Sequence, residues 1–282
     1  MNNRPKAERV QAFLTELWQT LLSGVKILLQ SKRTATPFKS DRREEIVVLG
    51  NGPSLRPLIE NKRSFFDGKA LLAVNYAVLS DYYTDLKPPY YLVVDPIFFS
   101  NPDHCQRFFD AMAEKTTWEL ELYLSAPARK STLWQPKLVA RPNIHVRYFN
   151  MTPVEGFRWF THLAFHQGWG TPRPRNVLIP SIMTALRMPF RTIYVAGADH
   201  SWLKEIWVDE NNVVMEDLNH FYDQKGSVRY ESNKHLHDLL LSMHIAFKSY
   251  HFIEDYARSI GKKIINVTEG SFIDAFDRKK ID

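Results

Sequence analysis

Residues 46–55 read Ile-Val-Val-Leu-Gly-Asn-Gly-Pro-Ser-Leu, an unbroken aliphatic run that stops at a glycine-rich turn. Such a run is typical of a strand buried on both faces of a parallel sheet. Further runs of strand length occur at 70–74, 90–94, 120–124, 144–148, 191–196 and 264–267. Helical patterns lie between them, at 55–66, 103–115, 181–186 and 233–260. This alternation predicts an α/β fold with a doubly wound, mostly parallel, Rossmann-like sheet.

Composition divides the chain into three parts. Residues 1–32 are basic, and apolar side chains recur there every three or four residues, the spacing of an amphipathic helix. These side chains are Val10, Phe13, Leu14, Leu17, Trp18, Leu21, Leu22, Val25, Leu28 and Leu29. Residues 33–45 are polar and aperiodic, which predicts a linker. Residues 46–282 are predicted to be one α/β domain. Its polar segment at about 200–232, between a predicted strand and a predicted helix, is typical of an active-site lid.

The N-terminal segment has two interpretations. A basic helix that carries Trp and Phe suits the headgroup layer of an anionic membrane, which would make the protein peripheral on the inner face of the cytoplasmic membrane. Alternatively, the helix docks on the body or pairs with a second subunit in a homo-oligomer. Glu16, Gln19 and Lys26 interrupt the apolar stripe, so the unbroken run of a membrane span is missing. No small-residue cleavage site of a secretory signal follows it.

The net charge of +6 also belongs to this end of the chain. Residues 1–43 hold nine Lys and Arg against three acidic residues, which leaves 28 of each sign in the remainder. A nucleic-acid-binding body would carry its own positive charge, so that class of partner is not expected. The single cysteine, Cys105, excludes an internal disulfide and suits a reducing, cytoplasmic compartment.

Small or polar residues end four of the predicted strands. They are Gly50 with Asn51, then Asn75, Asp95 and Asp199. In open α/β sheets ligands bind beyond the carboxyl ends of the strands, so these residues predict one shared site. The turn 50–54 leads into a helix and lacks the third glycine of a dinucleotide fingerprint and the Lys of a Walker A loop. Its amides and the helix N-terminus are expected to face a nucleotide phosphate.

Residues 46–55, with Asn75 after the second strand, resemble the start of the bacterial CMP-sialic-acid-dependent sialyltransferases of glycosyltransferase family 42. They are also similar to the wider superfamily of Maf-type flagellin glycosyltransferases and archaeal 6-hydroxymethylpterin diphosphokinase. Residues 179–186 and 192–199 are similar to the second signature of the family, a serine-containing helix before a strand that ends in Gly-x-Asp. Asp95 stands where the sialyltransferases have asparagine before proline. The resemblance implies nucleotide contacts from Gly50, Asn51, Gly52, Pro53, Ser54, Asn75, Asp95, Ser181 and Asp199.

The resemblance also implies a histidine general base near the helix that follows the lid, and lid tyrosines that bind the departing phosphate. Tyr222 and Tyr230 are the lid tyrosines here. A histidine suits the role because its pKa lies near the operating pH, so it can take a proton from an acceptor hydroxyl. The alternatives for this base are His200, His220, His235 and His237.

Two patterns bear on metal ions. The chain contains no Asp-x-Asp pair, which many transferases use to hold a divalent ion against the two phosphates of a nucleoside-diphosphate sugar. A CMP-sugar carries one phosphate, which can leave with the help of hydroxyl and amide donors. His235, His237 and His244 do not match a recognised zinc spacing. We therefore expect no metal and no cofactor.

These patterns together predict an inverting glycosyltransferase. It would move a sialic-acid-like or other 2-keto sugar from a CMP-sugar donor to a hydroxyl of a glycan or lipid-linked acceptor, in surface-polysaccharide assembly. One alternative is a Mg²⁺-dependent pyrophosphokinase acting on a pterin-like alcohol. Another is a non-catalytic nucleotide-binding protein docked on a membrane.

Overall fold

A computed structural model describes residues 5–34, 41–218 and 228–282. The strands are β1 Glu45–Leu49, β2 Ala70–Val74, β3 Tyr90–Val93, β4 Leu120–Ser125, β5 Ile144–Phe149, β6 Thr192–Ala196, β7 Ile206–Val208, β8 Val214–Leu218, β9 Val228–Glu231, β10 Lys263–Asn266 and β11 Asp277–Arg278. The helices are α1 Lys6–Gln30, α2 Leu55–Asn61, α3 Tyr82–Leu86, α4 Ile97–Ser100, α5 Pro102–Lys115, α6 Gln135–Leu138, α7 Arg158–Gln167, α8 Leu178–Arg187 and α9 Leu236–Ser259.

Eight strands form one central sheet in the order β11-β10-β6-β1-β2-β3-β4-β5, and every neighbouring pair is parallel. The chain leaves β1 towards β2 on one side and later returns to β6 on the other side. The strand order therefore reverses at the boundary between β1 and β6. The predicted doubly wound, mostly parallel α/β fold is confirmed.

The sheet is covered on both faces, as the unbroken aliphatic run of β1 predicts. Ile46 and Val48 lie in one apolar cluster, which includes side chains of α8 and α9. Val47 and Leu49 lie in a second cluster, which includes side chains of α5. All four are fully buried, and burying each such side chain contributes about 1.5–3 kcal/mol. The sheet is thus a rigid base from which the strand-end loops project.

Several predicted helix boundaries are wrong. The helix expected over 55–66 ends at Asn61 and gives way to a short 3₁₀ turn, Arg63–Phe66. The last helix begins at Leu236 with His235 at its N-cap, rather than at a cap formed by Ser232 and Asn233. Ser232 still donates its N–H to the carbonyl of Val214 at 2.8 Å, because it extends the pairing of β9 with β8.

The predicted lid region holds a second sheet that the sequence pattern did not reveal. Strands β7, β8 and β9 form an antiparallel meander over 206–231. Tyr230 lies in β9, opposite Glu216 of β8. His220 and Tyr222 lie outside the described residues, and so does the side chain of Tyr230.

Helix α1 lies against the loop 150–157 through hydrogen bonds. The Ser23 hydroxyl contacts the backbone carbonyl and amide of Glu155, each at 2.9 Å, and Thr20 Oγ1 accepts from the amide of Phe157 at 2.9 Å. Averaged over an 18-residue window, α1 is apolar enough to cross a membrane, and it is the one such helix among the described residues. Core helices and signal sequences can pass the same test.

Part of the predicted linker also packs on the body. Asp41 accepts hydrogen bonds from the guanidinium of Arg43 at 2.6 and 2.9 Å and from the hydroxyl of Tyr90 at 2.8 Å. Burial opposes ionisation of Asp41, but the hydrogen bonds from Arg43 and Tyr90 outweigh it and lower the pKa of this carboxyl to about 2. The chain is thus anchored immediately before β1.

Candidate active site

A cavity of about 340 Å³ opens at the carboxyl edge of the sheet, where the strand order reverses. The loops that follow β1, β2, β3 and β6 line it, together with the segment before α8. Its lining includes Asn51, Gly52, Pro53, Asn75, Tyr76, Asp95, Asn176, Asp199, His200, Trp202 and Glu205. The structure thus brings the four predicted strand-end groups to one cavity.

The turn after β1 is hydrogen-bonded to the turn after β6. The amide of Gly50 donates to the carbonyl of Ala196 at 2.7 Å, and the amide of Gly52 donates to the carbonyl of Gly197 at 2.9 Å. A Cβ added at Gly50 would collide with the Gly197 backbone, and one at Gly52 would collide with Asp199. The glycines therefore allow two protein loops to approach each other. The expectation that these amides face a phosphate is wrong for Gly50 and Gly52.

Ser54 and Asp199 close the same junction. The Ser54 hydroxyl donates to Asp199 Oδ2 at 2.8 Å, and the Ser54 amide donates to Oδ1 at 3.3 Å. Burial raises the pKa of Asp199, and the hydrogen bonds from Ser54 oppose that shift. Ser54 makes no side-chain cap bond to α2, which has only seven residues. Its expected contact with a phosphate is therefore replaced by a contact with the Asp199 carboxylate.

Asn51 presents an unmatched polar atom beside the cavity. Its Nδ2 donates to the carbonyl of Val74 at 3.4 Å, whereas its buried Oδ1 has no hydrogen-bond partner in the described part of the chain. An unsatisfied buried acceptor costs about 1–3 kcal/mol. A ligand that donates an N–H or O–H there would recover part of that free energy.

Asn75 fixes the end of β2 to the end of β3. Its backbone lies in the left-handed region, with φ of 44°, which asparagine adopts more readily than most residues. Its Oδ1 accepts from the amide of Val94 at 3.3 Å, and its carbonyl accepts from the Tyr91 hydroxyl at 2.5 Å. These bonds hold the Asn75 side chain at the cavity wall.

Asp95 and Tyr76 form the neighbouring part of that wall. Asp95 Oδ1 accepts from the amide of Ile97 at 3.0 Å, which starts the short helix α4. The Tyr76 hydroxyl lies 2.7 Å from Nδ1 of His104. Burial and the charge of Asp95 raise the pKa of Tyr76, so its hydroxyl stays protonated and can donate at neutral pH.

His200 lines the cavity from the β6 side, but its imidazole is buried. Its Nε2 lies 2.6 Å from the Tyr250 hydroxyl and 3.3 Å from Nδ2 of Asn176. Burial lowers the pKa of His200 to about 3, so the ring is neutral at pH 7 and holds a proton poorly. These properties suit a residue that positions its neighbours better than a general base.

His235 and His237 are exposed at the start of α9 and do not line the cavity. Their rings stack on each other, with centroids 5.7 Å apart, and His237 Nε2 lies 3.4 Å from Asp238. Ser181 is also outside the cavity lining, because it lies one turn inside α8. There its hydroxyl donates to the carbonyl of Val177 at 2.7 Å.

The lining of the cavity is acidic. Asp95, Asp199 and Glu205 contribute carboxylates, whereas no Lys or Arg of the described residues lines it. Among those residues, no group of three His, Cys, Asp or Glu side chains is arranged to hold a metal ion. The described lining residues therefore supply no positive Lys or Arg side chain that would balance the negative charge of a bound phosphate.

The sequence-based set lacks several lining residues, among them the polar or aromatic side chains of Tyr76, Asn176, Trp202 and Glu205. Asn176 carries a signal that could have found it, because an asparagine just before an apolar helical run is a typical N-cap. Its Oδ1 accepts from the amides of Leu178 and Ile179 at 3.0 and 3.2 Å. The others lie in short 3₁₀ turns or next to one, where no periodic pattern marks them.

No protein-family model matches the chain, and no curated protein sequence matches it. Among solved structures, the chain is similar to the Maf glycosyltransferase from Magnetospirillum magneticum AMB-1, with 12% sequence identity and a TM-score of 0.50. The match covers 95% of this chain and 38% of that protein, so this chain spans well under half of its length. At this identity, the likeness shows that the two proteins share an α/β fold.

Proposed function

We propose that the chain is a glycosyltransferase that uses a CMP-sugar as donor. The observation that carries the proposal is the polar cavity at the reversal of strand order, the place where open α/β sheets bind nucleotides. The fold likeness to a solved Maf glycosyltransferase supports the class of reaction. The resemblance of 46–55 to the family 42 sialyltransferases supports the CMP donor, with a sialic-acid-like or other 2-keto sugar.

Asn51 and Asn75 are the proposed nucleoside contacts. Both line the cavity, and both are held by hydrogen bonds to neighbouring strand ends. The unpartnered Oδ1 of Asn51 suits a donor group on the base or ribose. Asp95 can accept from a ribose hydroxyl through its second carboxylate oxygen, since its Oδ1 is occupied by Ile97.

The proposed base is either His220 or Glu205. His200 is buried with a low pKa, and His235 and His237 do not line the cavity, so His220 is the remaining histidine of the sequence-based set. Glu205 lines the cavity, and a carboxylate can also deprotonate an acceptor hydroxyl. Tyr222 and Tyr230 remain sequence-based candidates for binding the departing phosphate. Attack by the acceptor on the side opposite the leaving CMP would invert the anomeric carbon.

Calorimetric titration with CMP, UMP, GDP and ATP tests the donor assignment. We expect CMP to bind most tightly without added metal, and Asn51→Ala to weaken its binding about tenfold, the effect of one lost hydrogen bond to a buried group. Asn211→Ala, in the exposed β7–β8 turn, is the matched control. Equal affinity for all four nucleotides would contradict the proposal.

Release of CMP from CMP-N-acetylneuraminic acid then tests the catalytic step. We expect His220→Ala or Glu205→Gln to lower the rate by about 10²–10⁴-fold, the usual contribution of a general base. His235→Ala and His237→Ala are the controls and should retain activity. If neither His220→Ala nor Glu205→Gln lowers the rate, the assignment of the base is wrong.

The acidic lining favours a second candidate, Mg²⁺-dependent transfer of a pyrophosphoryl group from ATP to an alcohol. Asp95 and Glu205 carry charges that could attract the cation. This candidate predicts that ATP binds only with Mg²⁺ and that a chelator abolishes turnover. Activity that persists in the chelator excludes it.

A further inference from the structure

The apolar side of helix α1 faces away from the body, which is the opposite of what is expected for a helix docked on a soluble protein. An amphipathic surface helix normally faces the body with its apolar side. In α1 the only fully buried residue is the polar Ser23, and its outward apolar side chains are 38–84% exposed. Those side chains are Val10, Phe13, Leu14, Leu17, Trp18, Leu21, Leu22, Val25, Leu28 and Leu29.

The reason is that α1 contacts the body mainly through polar residues on one side, together with Ile27, which packs against the apolar core. At 100° per residue, Ala12, Thr20 and Ser23 share one side of the helix, and Leu14, Leu21 and Val25 share the opposite side. Thr20 and Ser23 are fixed by hydrogen bonds to Phe157 and Glu155. The apolar side therefore cannot turn inward without breaking these bonds.

Exposed apolar side chains also occur on α7, whose start lies next to α1. Phe13 contacts Phe157, with ring centroids 5.4 Å apart, which brings the start of α7 next to the helix. In the first and second turns of α7, Trp159 and Leu163 are four residues apart and are 66% and 44% exposed. Soluble monomers rarely expose large contiguous apolar patches, and such patches mark contact with a protein or a membrane.

The charges beside this patch distinguish the two kinds of partner. Lys6, Arg9, Lys26, Lys32 and Arg33 are on or immediately after α1, against Glu8 and Glu16. Residues 1–43 carry all of the net charge of +6, while the rest of the chain is neutral. A second copy of the chain would bring like charges together, whereas an anionic lipid surface complements them.

We propose that the outward face of α1, with Trp159 and Leu163, binds an anionic membrane surface. The helix lies in the plane of the interface and does not cross the bilayer. Its C-terminal half and the residue after it are hydrogen-bonded to the body through Thr20, Ser23 and Ser31. A spanning helix would draw those polar body segments into hydrocarbon, where their backbone groups would lose their water partners.

Co-sedimentation with vesicles tests this proposal. We expect the full chain to bind phosphatidylcholine vesicles containing about one-third phosphatidylglycerol, and to bind pure phosphatidylcholine much more weakly. The double substitution Leu14→Gln and Leu21→Gln should weaken binding by at least about tenfold, because both side chains would enter the acyl boundary. Leu240→Gln with Leu241→Gln, at 44% and 56% exposure on α9, is the matched control and should bind like wild type.

Three further measurements distinguish this surface from a protein contact. Lys32→Gln with Arg33→Gln should weaken binding to the anionic vesicles and leave thermal unfolding unchanged. Tryptophan emission of the wild-type protein should shift to shorter wavelength when vesicles are added, and the shift should be smaller in Trp18→Phe. Light scattering should give a monomer without lipid. A dimer that the Leu14→Gln and Leu21→Gln pair dissociates, together with no vesicle binding, would overturn the proposal.

Discussion

Helices α1 and α8 are both rich in apolar residues, but they use those residues in opposite ways. In α8, nine of the ten residues are buried, and the helix packs on β1, β2 and β6. In α1, one of 25 residues is fully buried, and that residue is a serine. Apolar periodicity therefore identifies a helix that needs a partner, but it does not say whether the partner is the protein itself.

The sharpest test of this contrast is truncation of one side chain in each helix. Ile182 of α8 is fully buried, so Ile182→Ala should lower the free energy of unfolding by about 2–5 kcal/mol. Leu21 of α1 is 56% exposed, so Leu21→Ala should change it by less than about 0.5 kcal/mol. Chemical denaturation measures both values. A large loss for Leu21→Ala would mean that its face is covered within the protein.

The contrast between buried and exposed groups extends to the histidines. Burial holds the pKa of His200 at about 3, below the value near 6.5 of an unfolded chain, so the unfolded state binds the extra proton first. The stabilising effect of neutral His200 is complete above pH 6.5 and is lost as the pH falls from there towards 3. The loss is about 1.4 kcal/mol per pH unit, or about 3 kcal/mol by pH 4.

Denaturation midpoints measured between pH 7 and pH 4 check this expectation. His200→Asn should flatten the profile while keeping the left-handed backbone, φ of 53°, that asparagine tolerates. His237→Asn, at an exposed site, should leave the profile unchanged. An unaltered slope in His200→Asn would show that other groups govern the acid response.

Two glycines extend the comparison to the backbone. Gly50→Ala would force a Cβ against Gly197, so we expect a loss of about 1–3 kcal/mol and weaker nucleotide binding. Gly24 lies in α1 with no atom within 4 Å of an added Cβ, so Gly24→Ala should stabilise the protein by about 0.5–1 kcal/mol. Thermal unfolding of the two variants should move in opposite directions.

A modest effect is expected when a contact that holds α1 in place is removed. Ser23→Ala removes the hydroxyl that bonds both backbone groups of Glu155, and should cost about 1 kcal/mol. Thr15→Ala is the control, because its hydroxyl bonds only the carbonyl of Gln11 in the same helix. Limited proteolysis near residue 34 should accelerate in Ser23→Ala alone. Equal cleavage in both variants would mean that these bonds do not anchor the helix.

Much of the fold follows from the sequence, because its strands are aliphatic runs long enough to be buried on both faces. The strands at 70–74 and 144–149 begin where the pattern predicts, and the gathering of Asn51, Asn75, Asp95 and Asp199 follows from parallel strands. The sequence pattern does not reveal the meander β7–β9, because β7 has only three residues and β8 and β9 mix charged with apolar residues.

The partners of the glycine turn were missed for a different reason. Gly50 and Gly52 bond to residues about 145 positions later in the chain, and local spacing carries no information about such contacts. The position of the turn between a strand and a helix predicts a phosphate contact, whereas in the structure the amide of Ser54 donates to Asp199. Likewise, the stripe in α1 shows an apolar face but not the direction in which that face points.

The joined turns after β1 and β6 have a consequence for the way a ligand enters. Because Gly50, Gly52 and Ser54 are already tied to their partners across the strand reversal, one side of the cavity is preorganised before anything binds. Association there gives up little conformational entropy, so affinity on that side depends on fit and desolvation. Any adjustment to a substrate must come from the opposite side, and selectivity for the transferred group would be sought there first.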